Sequence, residues 1–346
     1  MFNFQNILDN LKNNKNLSSD EAFIISEKMF EGSLSDDEIK DILLLLNKKN
    51  ICVNELIGFA RAMRKISTKV EINQKVIDSC GTGGDGMNTF NISTCASFIA
   101  AACGAKVAKH GNKAITSSSG SADLLHDAGA KIDLAPEYVS TCIDQTNFGF
   151  MFAPLHHQAM KNVAKTRKNI APEKTIFNML GPITNPANAK IQLIGVYSKD
   201  VMNLIANALL ELGTTRALIV NSRDGLDEAS IYAKTDILEI KNNKIESYSI
   251  DAKDYGINGD SIEGIKTNTD RSSLDIIYTV INNVDSDAKK ISLLNAGLLV
   301  MLFKDISLEE ALLECNSALE NYLVRDKFNQ YIDFTNQVSK NVKWDN

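Results

Sequence analysis

The chain has 346 residues, 44% of them hydrophobic and 23% charged, and a formal net charge of −6. That composition excludes a fibrous or disordered chain, and the length favours one large domain with a smaller partner and a cleft between them. The acidic balance excludes general nucleic-acid binding, which needs a dense surface excess of Lys and Arg.

Six cysteines, at 52, 80, 95, 103, 142 and 315, include no CxxC pair, so neither a zinc site nor a redox motif is indicated and reduced thiols are expected. The N-terminus lacks a basic start followed by an apolar run, and no stretch approaches the roughly 20 apolar residues of a membrane span. A cytoplasmic protein that binds neither membrane nor nucleic acid is expected.

From Phe4 to about Arg64 the pattern is helical, with a dense apolar run at Ile42–Leu46 and helix-starting residues at Ser33 to Asp37. After Ser67 short apolar runs, Val76-Ile77, Ala105 to Ala108, Ile191 to Tyr197 and Ala217 to Val220, alternate with helices. The helices are predicted at Asn91–Cys103, Ser121–Ala128, Pro136–Asn147, His157–Lys168 and Val201–Leu212. That alternation predicts an α/β fold with a mostly parallel central sheet flanked by helices. Lys234 to Asp275 reads as strands joined by exposed polar turns, away from any functional site. Two amphipathic helices, at about Ala288–Phe303 and Ser307–Tyr331, close the chain.

The run Asp78-Ser79-Cys80-Gly81-Thr82-Gly83-Gly84-Asp85-Gly86 follows an apolar strand and precedes a helix. Its glycines permit positive φ and close backbone approach, so consecutive N–H groups can converge on an anion. Gly81, Gly83 and Gly86 also satisfy the dinucleotide spacing GxGxxG. That reading stands second, because the loop runs on through Met87-Asn88-Thr89-Phe90 and the next strand ends in Lys109-His110 instead of a ribose-binding acid.

Asn91-Ile92-Ser93-Thr94 then places side-chain oxygens at a helix start, where free N–H groups and the helix dipole favour phosphate. Ser93 has a hydroxyl to offer Mg²⁺, and the plain alternative is that Asn91 or Ser93 only caps the helix. Next, Lys109-His110-Gly111-Asn112-Lys113 and Thr116 to Ser121 bring two ammonium groups and a row of hydroxyls to a strand's carboxyl end, a second phosphate site. A Ser/Gly-rich linker is the alternative there, although this stretch runs directly into a helix.

In this order, GTGGD, NIST, KHGN and SGSADLL resemble anthranilate phosphoribosyltransferases of tryptophan biosynthesis. The resemblance continues through Lys174 to Ala187, His157 with Arg167, and Asp224-Gly225-Leu226-Asp227-Glu228, and covers nearly the whole chain. It implies transfer of phosphoribose from 5-phosphoribosyl 1-diphosphate to the amino group of anthranilate, with release of diphosphate. The implied fold is the nucleoside phosphorylase/phosphoribosyltransferase type: a helical domain of residues 1–70, joined by about 165–187, and an α/β domain of 71–346. A homodimer through the helical domain is implied as well.

By the same resemblance, Gly81, Gly84, Asp85, Asn91, Ile92, Ser93, Thr94, Lys109 and Ser117 hold the donor, with Thr89 and Ser121 at its edges. Two Mg²⁺ ions per subunit are implied, with Asp227, Glu228 and Ser93 as oxygen ligands; on charge statistics alone the two acids would be an ordinary turn. Arg167 would bind the anthranilate carboxylate, with Gly81, Asn112 and Gly181 completing the pocket and His110 and His157 at its entry. If any side chain acts as a catalytic group, His110 and Arg167 are the candidates, although positioning of the amine suffices.

The chain departs from the family pattern at Gln158, where Pro is usual, and at Asn169 to Lys174, which replaces a Leu-Gly-Ile-Arg stretch. Two competing functions are a pyrimidine nucleoside phosphorylase, which would bind free phosphate, and a non-catalytic nucleic-acid-binding relative, which would need a basic face.

Overall fold

The computed structural model describes residues 4–114 and 119–339. Four helices open the chain: α1 (Phe4–Lys12), α2 (Ser19–Glu31), α3 (Asp36–Lys48) and α4 (Val53–Ile66). Ser18 and Ser35 start α2 and α3 with capping boxes, each serine accepting from the Glu21 or Glu38 N–H while that glutamate accepts from the serine N–H. Helices α2 and α4 cross closely at Gly58, where an added Cβ would lie 2.5 Å from the Ala22 Cβ.

The rest is α/β. In chain order it runs β1 (Ile77–Gly81), α5 (Ile92–Ala102), β2 (Val107–Gly111), α6 (Ser121–Asp127), α7 (Pro136–Thr146) and β3 (Phe148–Phe152). Then come α8 (Ala153–His156), α9 (Lys161–Asn169), α10 (Phe177–Ile183), β4 (Ile191–Gly195), α11 (Lys199–Glu211) and β5 (Arg216–Ser222). The hairpin β6 (Thr235–Lys241) and β7 (Lys244–Ile250) precedes α12 (Ser273–Ile281), α13 (Asp287–Lys304), α14 (Leu308–Glu320) and α15 (Leu323–Ser339).

One seven-stranded sheet runs β3-β2-β1-β4-β5-β6-β7. The first five strands are parallel and the β6–β7 hairpin is antiparallel, so the sheet is mixed, mostly parallel and flanked by helices, as predicted. Side chains alternate between its two faces. Leu193 and Leu218 join a core with α5, α13 and α15, while Ile194 and Ile219 join α1–α4, α9, α10 and α11. The helical bundle is thereby continuous with one apolar face of the sheet. Among the described residues no single helix is long and apolar enough to cross a membrane.

Three local expectations change. Phe148-Gly149-Phe150-Met151-Phe152 is a strand that the pattern did not single out, because a strand covered on both faces shows no alternation. The predicted helix Ser307–Tyr331 is two helices, broken where Tyr322 takes φ +58. Lys234 to Asp275 holds not only the hairpin but also two short 3₁₀ turns and the start of α12, and it braces the candidate site described next.

Candidate active site

Between β1 and β4 the sheet order reverses, and open α/β sheets bind ligands beyond the strand carboxyl ends at such a point. Gly81 and Gly195 end these two strands as direct partners. The space above them holds Asp227: a Cβ on Gly81 would lie 3.0 Å from the Asp227 Oδ2, and one on Gly195 only 1.5 Å from its carbonyl oxygen. Two absent side chains therefore seat an acid at the switch point.

The glycine loop bends around this acid. Gly83 and Gly84 take φ of +62 and +80, open to glycine at little cost, and the Gly83 N–H donates to the Asp227 Oδ2 at 3.0 Å. Asp85 accepts from the Met87 N–H through Oδ1, while its buried Oδ2 has no partner. Asn91 begins α5 without a side-chain cap, so the first N–H groups of the helix keep free of it. Its side chain instead donates to the Ser119 carbonyl at 3.1 Å and accepts from the Ser273 hydroxyl at 2.7 Å.

Lys109, 2% exposed, donates to the Ser79 carbonyl and, at 3.2 Å, to the Ser93 hydroxyl, placing its charge between the loop and α5. Gly81, Gly84, Asp85, Thr89, Asn91, Ile92, Ser93, Lys109 and Ser121 all line one cleft of about 670 Å³. Thr94 is buried beside it, its hydroxyl unpartnered. Ser117 lies outside the described residues.

Asp227 and Glu228 line the same cleft. Burial, then the neighbouring Asp85, pushes Asp227 up to about 7; burial, then Asp227, pushes Glu228 up to about 8. Acids crowded this way gain from a divalent cation, and their hard oxygens, with the Ser93 hydroxyl and the unpartnered Asp85 Oδ2 nearby, fit Mg²⁺. Among the described residues no cluster of three or more His, Cys, Asp or Glu could hold an ion alone. An incomplete protein cage suits Mg²⁺, which keeps waters and takes substrate phosphate oxygens.

A pH dependence follows for the metal-free protein. The unfolded acids titrate near their ordinary 3.8 and 4.5, the folded ones near 7 and 8. Their contribution to stability is complete below the lower values and is lost as pH rises through the higher ones. From about pH 5 to about pH 8 the melting temperature of the metal-free protein falls more steeply than that of an Asp227→Asn, Glu228→Gln variant. Parallel curves in a calorimetric melt would refute the assignment.

Across the cleft, α9 presents Arg167, stacked with its guanidinium carbon 5.2 Å from the Phe177 ring centroid. It makes no ion pair among the described residues. The His110 Nδ1 lies 3.1 Å from the Gly181 carbonyl, its Nε2 is buried without a partner, and its ring is 5.1 Å from that of His157. Burial drives both histidines down, His157 to about 4 and His110 well below its usual range, so both are neutral at pH 7. Asn112 and Gly181 line the same cleft. A planar cation beside uncharged rings suits a small aromatic carboxylate.

Residues that sequence reasoning passed over support these. Ser273 starts α12 and holds the Asn91 N–H at 2.9 Å, and Thr89 bridges to Lys266, so the segment set aside as non-functional braces the donor side. Asp78, buried under the site, accepts from the His110 N–H at 3.1 Å. No local pattern marks these positions, since each acts through a partner far along the chain.

The glycosyl transferase family a/b domain matches residues 73–321 and its helical bundle domain matches residues 5–67. The anthranilate phosphoribosyltransferase of Hydrogenovibrio crunogenus is 40% identical over 331 residues, 95% of this chain and 97% of its own. That of Bordetella pertussis is 42% identical over 324 residues, 93% and 94% of the two chains. Among solved structures, the anthranilate phosphoribosyltransferase of Thermus thermophilus superimposes with a TM-score of 0.89 at 29% identity, covering 95% of this chain and 99% of that one. The Saccharomyces cerevisiae enzyme in complex with PRPP and Mg shares the fold at a TM-score of 0.86 and 24% identity, covering 97% and 99%. Similar end to end to such relatives, the chain belongs to the anthranilate phosphoribosyltransferase family.

Proposed function

We infer that the chain transfers the phosphoribosyl group of 5-phosphoribosyl 1-diphosphate to the amino group of anthranilate, giving N-(5-phosphoribosyl)anthranilate and diphosphate. The observation that carries this reading is one cleft with an anion cradle on one wall and an unpaired arginine beside neutral rings on the other. The amine nitrogen bonds to the anomeric carbon, the bond from that carbon to the diphosphate oxygen breaks with its electron pair, and the amine then releases a proton.

The glycine-loop N–H groups, the start of α5 and Lys109 stabilise the charge that gathers on the departing diphosphate. Asp227, Glu228 and the Ser93 hydroxyl would hold Mg²⁺, two ions in this reading, which supplies further neutralisation of that group. Arg167 grips the carboxylate with two parallel hydrogen bonds, and the neutral His110 and His157, with Asn112 and Gly181, orient the ring. A dry cleft matters because water competes with the amine for the sugar carbon. The reading also includes a cytoplasmic location and a homodimer formed through the helical domain.

Loss of anthranilate fluorescence tests the reaction. The signal falls only when donor, Mg²⁺ and protein are all present, and no loss under those conditions overturns the reading. In the same assay Arg167→Ala raises the anthranilate KM about 10- to 100-fold, the size of a lost charge-assisted hydrogen-bond pair. Calorimetric donor binding by that variant stays within about twofold of wild type, since the changed side chain is on the acceptor wall.

A further inference from the structure

Lys174 lies between α9 and α10 and has no place in the donor and acceptor sets described above. Its main chain belongs to the helical side: its carbonyl accepts from the Asn47 Nδ2 of α3 at 2.6 Å. The next residue, Thr175, is fixed by the Asn178 side chain at the start of α10. Its side chain crosses to the α/β side. The Lys174 Nζ donates to the Gly84 carbonyl at 2.9 Å and sits 3.3 Å from the Tyr197 ring centroid. Tyr197 is in turn tied to the same loop, its N–H donating to the Thr82 hydroxyl at 3.3 Å.

We propose that Lys174 is a donor-binding residue whose ammonium exchanges the Gly84 carbonyl for a phosphate oxygen of the phosphoribosyl donor. The inference rests on the reading of the cleft as a phosphoribosyl diphosphate site and adds a cation to it, one supplied by the helical side.

Three observations carry it. The ammonium is at the lip of the glycine loop, where a Cβ on Gly84 would meet the Lys174 Cε and Nζ at 3.3 Å, so an anion seated on that loop lies within its reach. It has no carboxylate partner in an ion pair among the described residues; burial lowers its pKa, and Asp85 and Asp227 nearby only partly offset this, so an anionic oxygen at the ammonium would relieve that cost. Its present partners, a neutral carbonyl and a ring face, hold a cation less strongly than an anionic oxygen does. A compact ammonium on a flexible stem also suits contact with a single oxygen, where a guanidinium would span two. Because its backbone is pinned to α3 and α10, the contact would couple donor arrival to the helical side of the cleft.

The competing role is a structural strut that only ties the α9–α10 connection to the glycine loop. Calorimetry with phosphoribosyl diphosphate and Mg²⁺ separates the two, using Lys174→Met, which keeps the apolar stem, and Lys174→Arg, which keeps the charge. Donor Kd rises about tenfold or more in the Met variant and returns to within about threefold of wild type in the Arg variant. The anthranilate KM and the melting temperature stay near those of wild type. Wild-type donor affinity in Lys174→Met, or a rise that Lys174→Arg fails to reverse, overturns the proposal while the site reading stands. Absence of donor binding by the wild-type protein itself would remove both.

Discussion

Replacing Asp227 and Glu228 together by alanine removes the magnesium-dependent part of donor binding and lowers turnover by about 10²- to 10³-fold or more, the range seen when groups that stabilise developing charge are deleted. Among the described residues the acids lining the cleft are Asp85, Asp227 and Glu228; the change removes the adjacent pair and leaves the N–H groups, hydroxyls, Lys109 and the single Asp85 carboxylate. Those groups survive the change, so a magnesium-independent component of donor affinity remains. Calorimetric titration with and without Mg²⁺ reads the difference. The metal-free variant also melts higher than the metal-free wild type near neutral pH, because it no longer holds two acids whose charged forms burial disfavours. Lost activity with raised stability separates loss of the metal site from misfolding. Unchanged magnesium dependence would place the ion elsewhere.

Gly195→Ala produces the second large effect, and it does so without touching a charged group. The new methyl would overlap the Asp227 carbonyl, 1.5 Å from its oxygen and 2.6 Å from its carbon, so the backbone of the acidic turn must move. Overpacking of this kind costs about 1–3 kcal/mol of stability. The larger consequence is catalytic: displacing Asp227 breaks its hydrogen bond from the Gly83 N–H and misplaces both acids relative to the loop. Donor affinity measured with Mg²⁺ falls toward the magnesium-free value, and turnover falls by about 10²-fold, as an ångström-scale misplacement does elsewhere. Wild-type turnover in this variant would show that the acidic turn is not held where the structure puts it.

The elements near the site were readable from short stretches. Gly83, Gly84 and Gly86 all take positive φ, as a loop of converging N–H groups requires, and the helix after Asn91 begins where its polar run indicates. The helix-starting residues at Ser33 to Asp37 marked the start of α3, where Ser35 and Glu38 form a capping box, whereas the matching Ser18–Glu21 box at α2 was not read from the sequence. Phe148 to Phe152 was not legible, because being buried on both faces erases the alternation that announces a strand. The break between α14 and α15 was missed for the opposite reason: amphipathic spacing continues across Asn321-Tyr322 and does not register one residue turning to positive φ.

By itself, then, the sequence determined what can be settled within a few residues: backbone freedom, capping, apolar periodicity and the order of polar motifs along the chain. Tertiary structure alone decided the partnerships. Gly83 meets Asp227 across 144 positions, Asn91 meets Ser273 across 182, and Lys174 meets Gly84 across 90. The same holds for protonation, since an acidic turn carries no sign of a raised pKa until folding desolvates it and sets Asp85 beside it. Conformational preference is short-ranged along the chain, whereas burial and Coulomb interaction depend on distance in space, and only the folded sheet brings those distances to a few ångströms.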